Sequence, residues 1–196
     1  LVILRLVLGR ALTWVKNMDF KNFISSHGKA VSKQKGAYVF SQGEVDCNIY
    51  FVKQGLLKAY YISDDGKEFV KSFLLPDSSI ASVSSFHSKA PSPFSVVCLE
   101  ASELVRISFD DLYTISATNN DVAMNVIDML LQLAMKKERR EYEFLCLSPE
   151  ERYRQILDQQ PELPKKITQN DLAGYLGITP IGLSRIKKRV NLTKTT

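Results

Sequence analysis

Between Ala37 and Ser108 the chain consists of short runs rich in aromatic and β-branched residues, with no helical pattern between them. The runs are Tyr38-Val39-Phe40, Ile49 to Val52, Leu56 to Ile62, Glu68 to Leu74, Phe94 to Leu99 and Glu103 to Ile107. Turn formers bound them: Gly43-Glu44, Lys53-Gln54-Gly55, Asp64-Asp65-Gly66, Pro76-Asp77-Ser78 and Glu100-Ala101-Ser102. Asp65-Gly66 marks a hairpin, because glycine accepts the positive φ that the turn demands. Strands this closely spaced, without intervening helices, predict a double-sheet roll or barrel.

The pattern changes after Phe109. Asn119 or Asn120 caps a helix that opens at Asp121, whose carboxylate suits the positive end of the helix dipole. Apolar residues recur at Val122, Val126, Met129 and Leu133, and a second row runs beside them at Ala123, Ile127, Leu130 and Ala134. One row suffices to pack on the β body, so two rows predict a helix–helix seam with a second subunit. Val122, Val126, Met129, Leu130 and Leu133 are the expected dimerisation residues; a helix buried in its own domain is the alternative. The charged stretch Lys136 to Glu141 reads as a solvated face. Ser148-Pro149-Glu150-Glu151 then starts another helix through a capping box with proline at its first position, and Pro161-Glu162-Leu163-Pro164 ends it.

Ile167 to Val190 reads ITQNDLAGYLGITPIGLSRIKKRV. Thr168 caps a helix over 169–176, Asp171 completes its capping box, and Gly177 makes the turn. A second helix follows Thr179, with Pro180 at its first position. Ala173 is small where the helices approach, and Leu172, Leu176, Ile178, Leu183 and Ile186 fix their angle. Two short helices joined by a glycine-containing turn form a helix-turn-helix; an ordinary helical hairpin with basic solvent residues is the bland reading. The formal net charge of +5 lies here: the last 32 residues hold seven bases against the single acid Asp171. A positive module on a near-neutral body predicts a polyanion contact confined to that module. The residues expected at DNA are Thr179, Pro180, Ile181, Ser184, Arg185, Lys187 and Lys188, with Arg185 suited to guanine and the lysines to phosphate.

These motifs together resemble the cyclic-AMP receptor protein / fumarate-nitrate regulator family. YVFSQGEVDCNIYFVKQGLLKAYYISDDGKE (38–68) is similar to the family's β-roll opening, with Gly43, Gly55 and Gly66 at the turns. The helix from about Asn120 resembles its dimerisation helix, and ITQNDLAGYLGITPIGLSRI its DNA-binding motif. The resemblance implies an α+β chain: a cupin-like, jelly-roll β-roll over 18–118, a long dimerisation helix over 119–147, and a helix-turn-helix domain over 148–196. The motif is followed only by NLTKTT, so the family's β-wing is not expected. The implied partners are double-stranded DNA, a second copy of the chain and RNA polymerase. Two recognition helices would enter successive major grooves about 34 Å apart.

The sequence departs from the family where cyclic-nucleotide-binding members carry a Gly-Glu pair and, ten residues later, a phosphate-binding arginine. Here these positions are Ala81, Ser82 and Ser92, followed by Pro93-Phe94. A buried phosphate without a cation leaves a costly unpaired charge, so no cyclic-AMP binding is expected; Lys89 or Arg106 are the candidate substitute cations. A pocket between roll and helix, with Ala81, Ser82, Val83, Ser84, Ser92 and Pro93 on its wall, is expected to be empty or to hold an apolar or serine-bonded effector of unknown identity. No cysteine precedes Cys47, which argues against an iron–sulfur sensor, and His27 and His87 are too isolated to serve haem. No cofactor or metal is expected.

No Ser/His/Asp set, paired histidine ligands or phosphate-binding glycine loop points to an enzyme. The reading from another class is a small-molecule-sensing module whose C-terminal helices dock a protein partner. Three widely spaced cysteines form no disulfide framework and no apolar run approaches a membrane span of about 18 residues, so a cytoplasmic location is expected. Residues 1–17, apolar with Arg5, Arg10 and Lys16, read as an extension ahead of Met18 or as an extra amphipathic helix.

Overall fold

The computed structural model describes residues 18–192, so the reading of residues 1–17 lies outside the described residues. In chain order the elements are α1 (Met18–His27), β1 (Lys29–Lys33), β2 (Tyr38–Phe40), β3 (Asn48–Gln54), β4 (Leu57–Ile62), β5 (Glu68–Leu74), β6 (Ser79–Ile80), α2 (Val83–Ser88), β7 (Ser95–Cys98), β8 (Ser102–Ser108), α3 (Phe109–Ser116), α4 (Asn120–Cys146), α5 (Pro149–Gln159), α6 (Leu163–Lys166), α7 (Gln169–Leu176) and α8 (Pro180–Leu192). All six strands expected from the sequence are present. Two more, β1 and β6, carried no signal: Lys-Ala-Val-Ser-Lys is mostly polar, and Ser79-Ile80 is only a pair.

The strands form two antiparallel four-stranded sheets, ordered β1-β8-β3-β6 and β2-β7-β4-β5. Between them Phe40, Tyr50, Val52, Leu57, Leu74, Phe94, Val96 and Leu104 make the inner core. Gly55, at φ 104°, lets the chain turn against Ser102; a Cβ there would lie 2.2 Å from the serine Oγ. In the hairpin of β4 and β5 the register shifts, with Ala59 opposite Ser72 but Tyr60 opposite Val70. Lys71 is therefore the extra residue of a bulge, which re-aims its side chain.

Each sheet also buries its outer face. Phe20, Ile24, Phe51, Val105, Leu112, Val122 and Met129 join α1, α3 and the first half of α4 to the β3–β8 sheet. Leu56, Val70 and Phe73 join the other sheet to Leu172, Leu176, Leu183 and Val190 of the C-terminal helices. This second cover explains why β4 is buried from Leu57 through Tyr60 without the polar alternation of a solvated sheet. Lys58 on that face is buried and ion-paired to Glu68 at 2.8 Å and to Asp171 at 2.9 Å.

Helix α4 begins where the sequence placed it, with the Asn119 side chain accepting from the N–H of Val122 at 3.1 Å. Its 27 residues span about 40 Å. The dimerisation residues are placed differently from expectation. Val122 and Met129 are buried against the roll, Val126 packs beside them, and Leu133 is half-buried. The face left open carries Leu130 together with Met124, Ile127, Leu131 and Met135.

Candidate functional site

The helix-turn-helix is set by local chemistry. Thr168 Oγ1 accepts from the N–H of Asp171 at 3.0 Å, and Thr179 Oγ1 accepts from that of Gly182 at 3.1 Å. Gly177 closes α7 at φ 69°, and a Cβ there would meet the Phe144 ring at 2.8 Å. The expected capping box is altered: the Asp171 carboxylate accepts from the Thr168 hydroxyl at 2.6 Å and from Lys58 across the domain contact.

Leu172, Leu176 and Leu183 are wholly buried between the helices, with Ala173 and Ile186 beside them. Their packing leaves Thr179, Pro180, Ile181, Ser184, Arg185 and Lys188 exposed on one open face, and α8 contains no acid. Lys187 is the exception among the expected residues. It is half-buried, burial pushes its pKa down, and its ammonium donates to Gln169 Oε1. Arg189 is engaged at the side of the module by Glu150 at 2.8 Å.

The stretch Lys136 to Glu141, expected to be solvated, holds this module instead. Arg140 lies over the rings of Phe144 and Tyr175 at 4.3 and 3.9 Å and donates to the Tyr175 carbonyl. Arg139 pairs with Glu143 at 2.9 Å. Arg152, which no sequence signal singled out, is buried and donates to the carbonyls of Leu147 at 2.8 Å and Leu176 at 2.9 Å.

A cleft of about 270 Å³ opens between the roll and α4. Of the six residues expected on its wall, Ala81, Val83, Ser84 and Pro93 line it. Ser82 and Ser92 do not: both are buried, the first bonded to Ser84 and Ser85 and the second to the Phe94 carbonyl at 2.8 Å. Neither candidate cation reaches the cleft. Lys89 sits 3.5 Å from Asp110 and 3.6 Å from Cys47 Sγ, and Arg106 is not among the lining residues.

The cations that do line it are Lys71, delivered by the bulge, and Lys137. Lys71 Nζ lies 3.9 Å from the centroid of Phe94. Burial, reinforced by the Lys137 and Lys136 charges, lowers its pKa from 10.5 to about 8. The folded state thus releases this proton before the unfolded chain does, so stability rises with pH from about 8 to 10.5. Below about pH 8 the charged amine costs the fold about 3 kcal/mol. Chemical unfolding should therefore show Lys71→Met more stable than the parent at pH 7, with the gap narrowing by pH 10.

His27 stacks on Phe23 at 4.2 Å and His87 is exposed. Among the described residues no group of three or more His, Cys, Asp or Glu side chains could hold a metal ion, and no helix is long and apolar enough to cross a membrane.

The family model of the cyclic nucleotide-binding domain matches residues 30–119, the β-roll up to the start of α4. A transcriptional activator protein (anr) of Pseudomonas aeruginosa is 28% identical over 188 residues, covering 89% of this chain and 75% of that protein. The fumarate and nitrate reduction regulatory protein of Yersinia pestis is 25% identical, over 80% of this chain and 66% of its own length. Among solved structures, FixK2 from Bradyrhizobium japonicum superposes with a TM-score of 0.73 at 17% identity, covering 85% of this chain and 86% of that one. With a cyclic nucleotide-binding domain model on the roll and these likenesses over most of its length, the chain is similar to transcription regulators of the cyclic-AMP receptor protein / fumarate-nitrate regulator family.

Proposed function

We propose that the chain is a DNA-binding transcription regulator that acts as a homodimer on two-fold symmetric sites, without control by cyclic AMP. The observation that carries this reading is the outward face of α8, where Ser184, Arg185 and Lys188 are exposed on a helix free of acids and locked by a buried seam. An arginine so presented suits bidentate contact with guanine, and the lysine suits phosphate. Ile181, 68% exposed, offers an apolar contact to a thymine methyl. The names of the relatives, an activator and a reduction regulator, support the same role. The open apolar stripe of α4 supports the dimer, which would set the two recognition helices about 34 Å apart. Ser82 and Ser92, which stand at the positions expected to hold a cyclic nucleotide, are engaged in hydrogen bonds of their own. The cleft is, in this reading, the pocket of a different effector.

Selection from genomic fragments followed by footprinting tests the proposal. A palindromic site should emerge, bound with a steep inverse dependence on salt. Arg185→Ala should weaken that site by about 1–3 kcal/mol per contacted base and relax selection there, leaving thermal stability unchanged. Lys188→Ala should weaken all sequences alike and flatten the salt slope by about one unit per half-site. Unaltered specific binding by Arg185→Ala overturns the assignment of the recognition helix. Stabilisation by small molecules without any footprint favours the protein-docking alternative.

A further inference from the structure

The chemistry of the cleft narrows its occupant, given the reading of the cleft as the effector pocket. Its walls are mainly apolar, with Ile80, Phe86, Phe109, Met129 and Leu133 among the lining residues. No lining residue is acidic, yet two lining residues are lysines. Lys71 has the Phe94 ring as its recorded neighbour, and the charges acting on it are the like charges of Lys137 and Lys136. A half-buried ammonium on a cleft wall that holds a second lysine and no acid leaves positive charge that an anion would neutralise.

We propose that the cleft binds an apolar molecule bearing one carboxylate, its body against Phe86, Phe109 and Met129 and its head between Lys71 and Lys137.

Each competing class fails on a particular feature. A small inorganic anion leaves the aromatic and aliphatic wall uncovered. A cationic amphiphile meets the lysines. A cyclic nucleotide could set its phosphate at the lysines, but its sugar hydroxyl and polar base would lie against a mainly apolar wall, with Ser82 and Ser92 bonded elsewhere. The volume of about 270 Å³ is nearly twice the ~150 Å³ of an apolar cavity that takes one benzene, which suits a medium-length chain or a two-ring body. The bulge supplies the design logic: it adds Lys71 to β5 while its neighbours keep their places in the ladder, so the cation enters an otherwise apolar face.

Calorimetric titration of the full chain with decanoate, decan-1-ol and decylamine separates body from head, since the three share one hydrocarbon. Decanoate should bind about tenfold or more tightly than the alcohol, with the amine weakest. Lys71→Met should reduce decanoate to the level of the alcohol, and Lys71→Arg should keep the preference. Equal affinity for acid and alcohol, absence of decanoate binding, or a preference that survives Lys71→Met overturns the proposal. The effector reading is tested separately by operator affinity. Decanoate held through Lys71 without any change in operator affinity overturns the effector role and upholds the ligand class. An uncharged compound that fills the cleft and shifts operator affinity does the reverse.

Discussion

A chain carrying Ile127→Glu together with Leu131→Glu should sediment as a monomer, keep its circular dichroism spectrum, and lose affinity for its palindromic site by about a thousandfold. Ile127 and Leu131 are 47% and 56% exposed, so the subunit does not need them for its own core. Met124, Ile127, Leu131 and Met135, at spacings of 3, 4 and 4, form a stripe on the opposite side of α4 from buried Val122 and Met129. A stripe of this spacing in contact with its copy forms the seam of a two-helix pair, and a glutamate there buries an unpaired charge. The loss at DNA follows from linkage: joining two reading heads multiplies affinity by about 10²–10⁴, and a monomer forfeits that factor. Sedimentation equilibrium and a gel-shift titration check both halves. A variant that stays dimeric places the seam elsewhere.

Arg152→Met should lower stability by about 3 kcal/mol and the melting temperature by roughly 10 °C. Methionine keeps an apolar stem of similar reach to the arginine methylenes and lacks the guanidinium, so the loss is chiefly one of hydrogen bonds. Arg152 is 8% exposed and donates to the carbonyls of Glu143, Leu147 and Leu176 at 3.2, 2.8 and 2.9 Å. These carbonyls belong to the ends of α4 and α7, where the last turn of a helix runs short of N–H donors; only that of Glu143 has a backbone partner as well, the N–H of Leu147 at 3.2 Å. One cation thus serves two negative helix termini. Its removal takes a donor from the part-buried Leu147 carbonyl and from the buried Leu176 carbonyl at once. As a control, Lys165→Met, at an exposed pair with Glu162, should change stability by no more than about 0.5 kcal/mol. Differential scanning calorimetry compares the two; equal effects would assign Arg152 an ordinary surface role.

What could be read from the sequence was local in origin. Asn119, Ser148, Thr168 and Gly177 act on backbone groups within a few residues, so their spacing was enough to place the helix ends. The hairpin at Asp65-Gly66 and the helix-turn-helix were legible for the same reason. Features that depend on distant partners were not. The bulge at Lys71 arises from register with Ala59 and Tyr60, so the cleft's cation could not be found by spacing, and Lys89 and Arg106 were sought in its place. The solvated reading of Lys136 to Glu141 holds for Lys137, Glu138 and Glu141 but not for Arg140, to which Tyr175, far along the chain, supplies a ring and a carbonyl. The open apolar stripe of α4 lies further around the helix than the expected rows, because Val122 and Met129 pack on the roll.

Strand β5 touches both working parts of the molecule through consecutive residues. Val70 presses on Gly174, with its Cγ2 3.2 Å from where a Cβ would stand, while Lys71 lines the cleft. If the cleft holds the proposed carboxylate as its cargo and α8 reads DNA as proposed, the strand would be a lever two residues wide between them. A pull on the amine would then reach the helix-turn-helix through one peptide unit and the packing of Val70 on Gly174. By reciprocity, the operator must alter the grip on the cargo by the same factor as the cargo alters the grip on the operator.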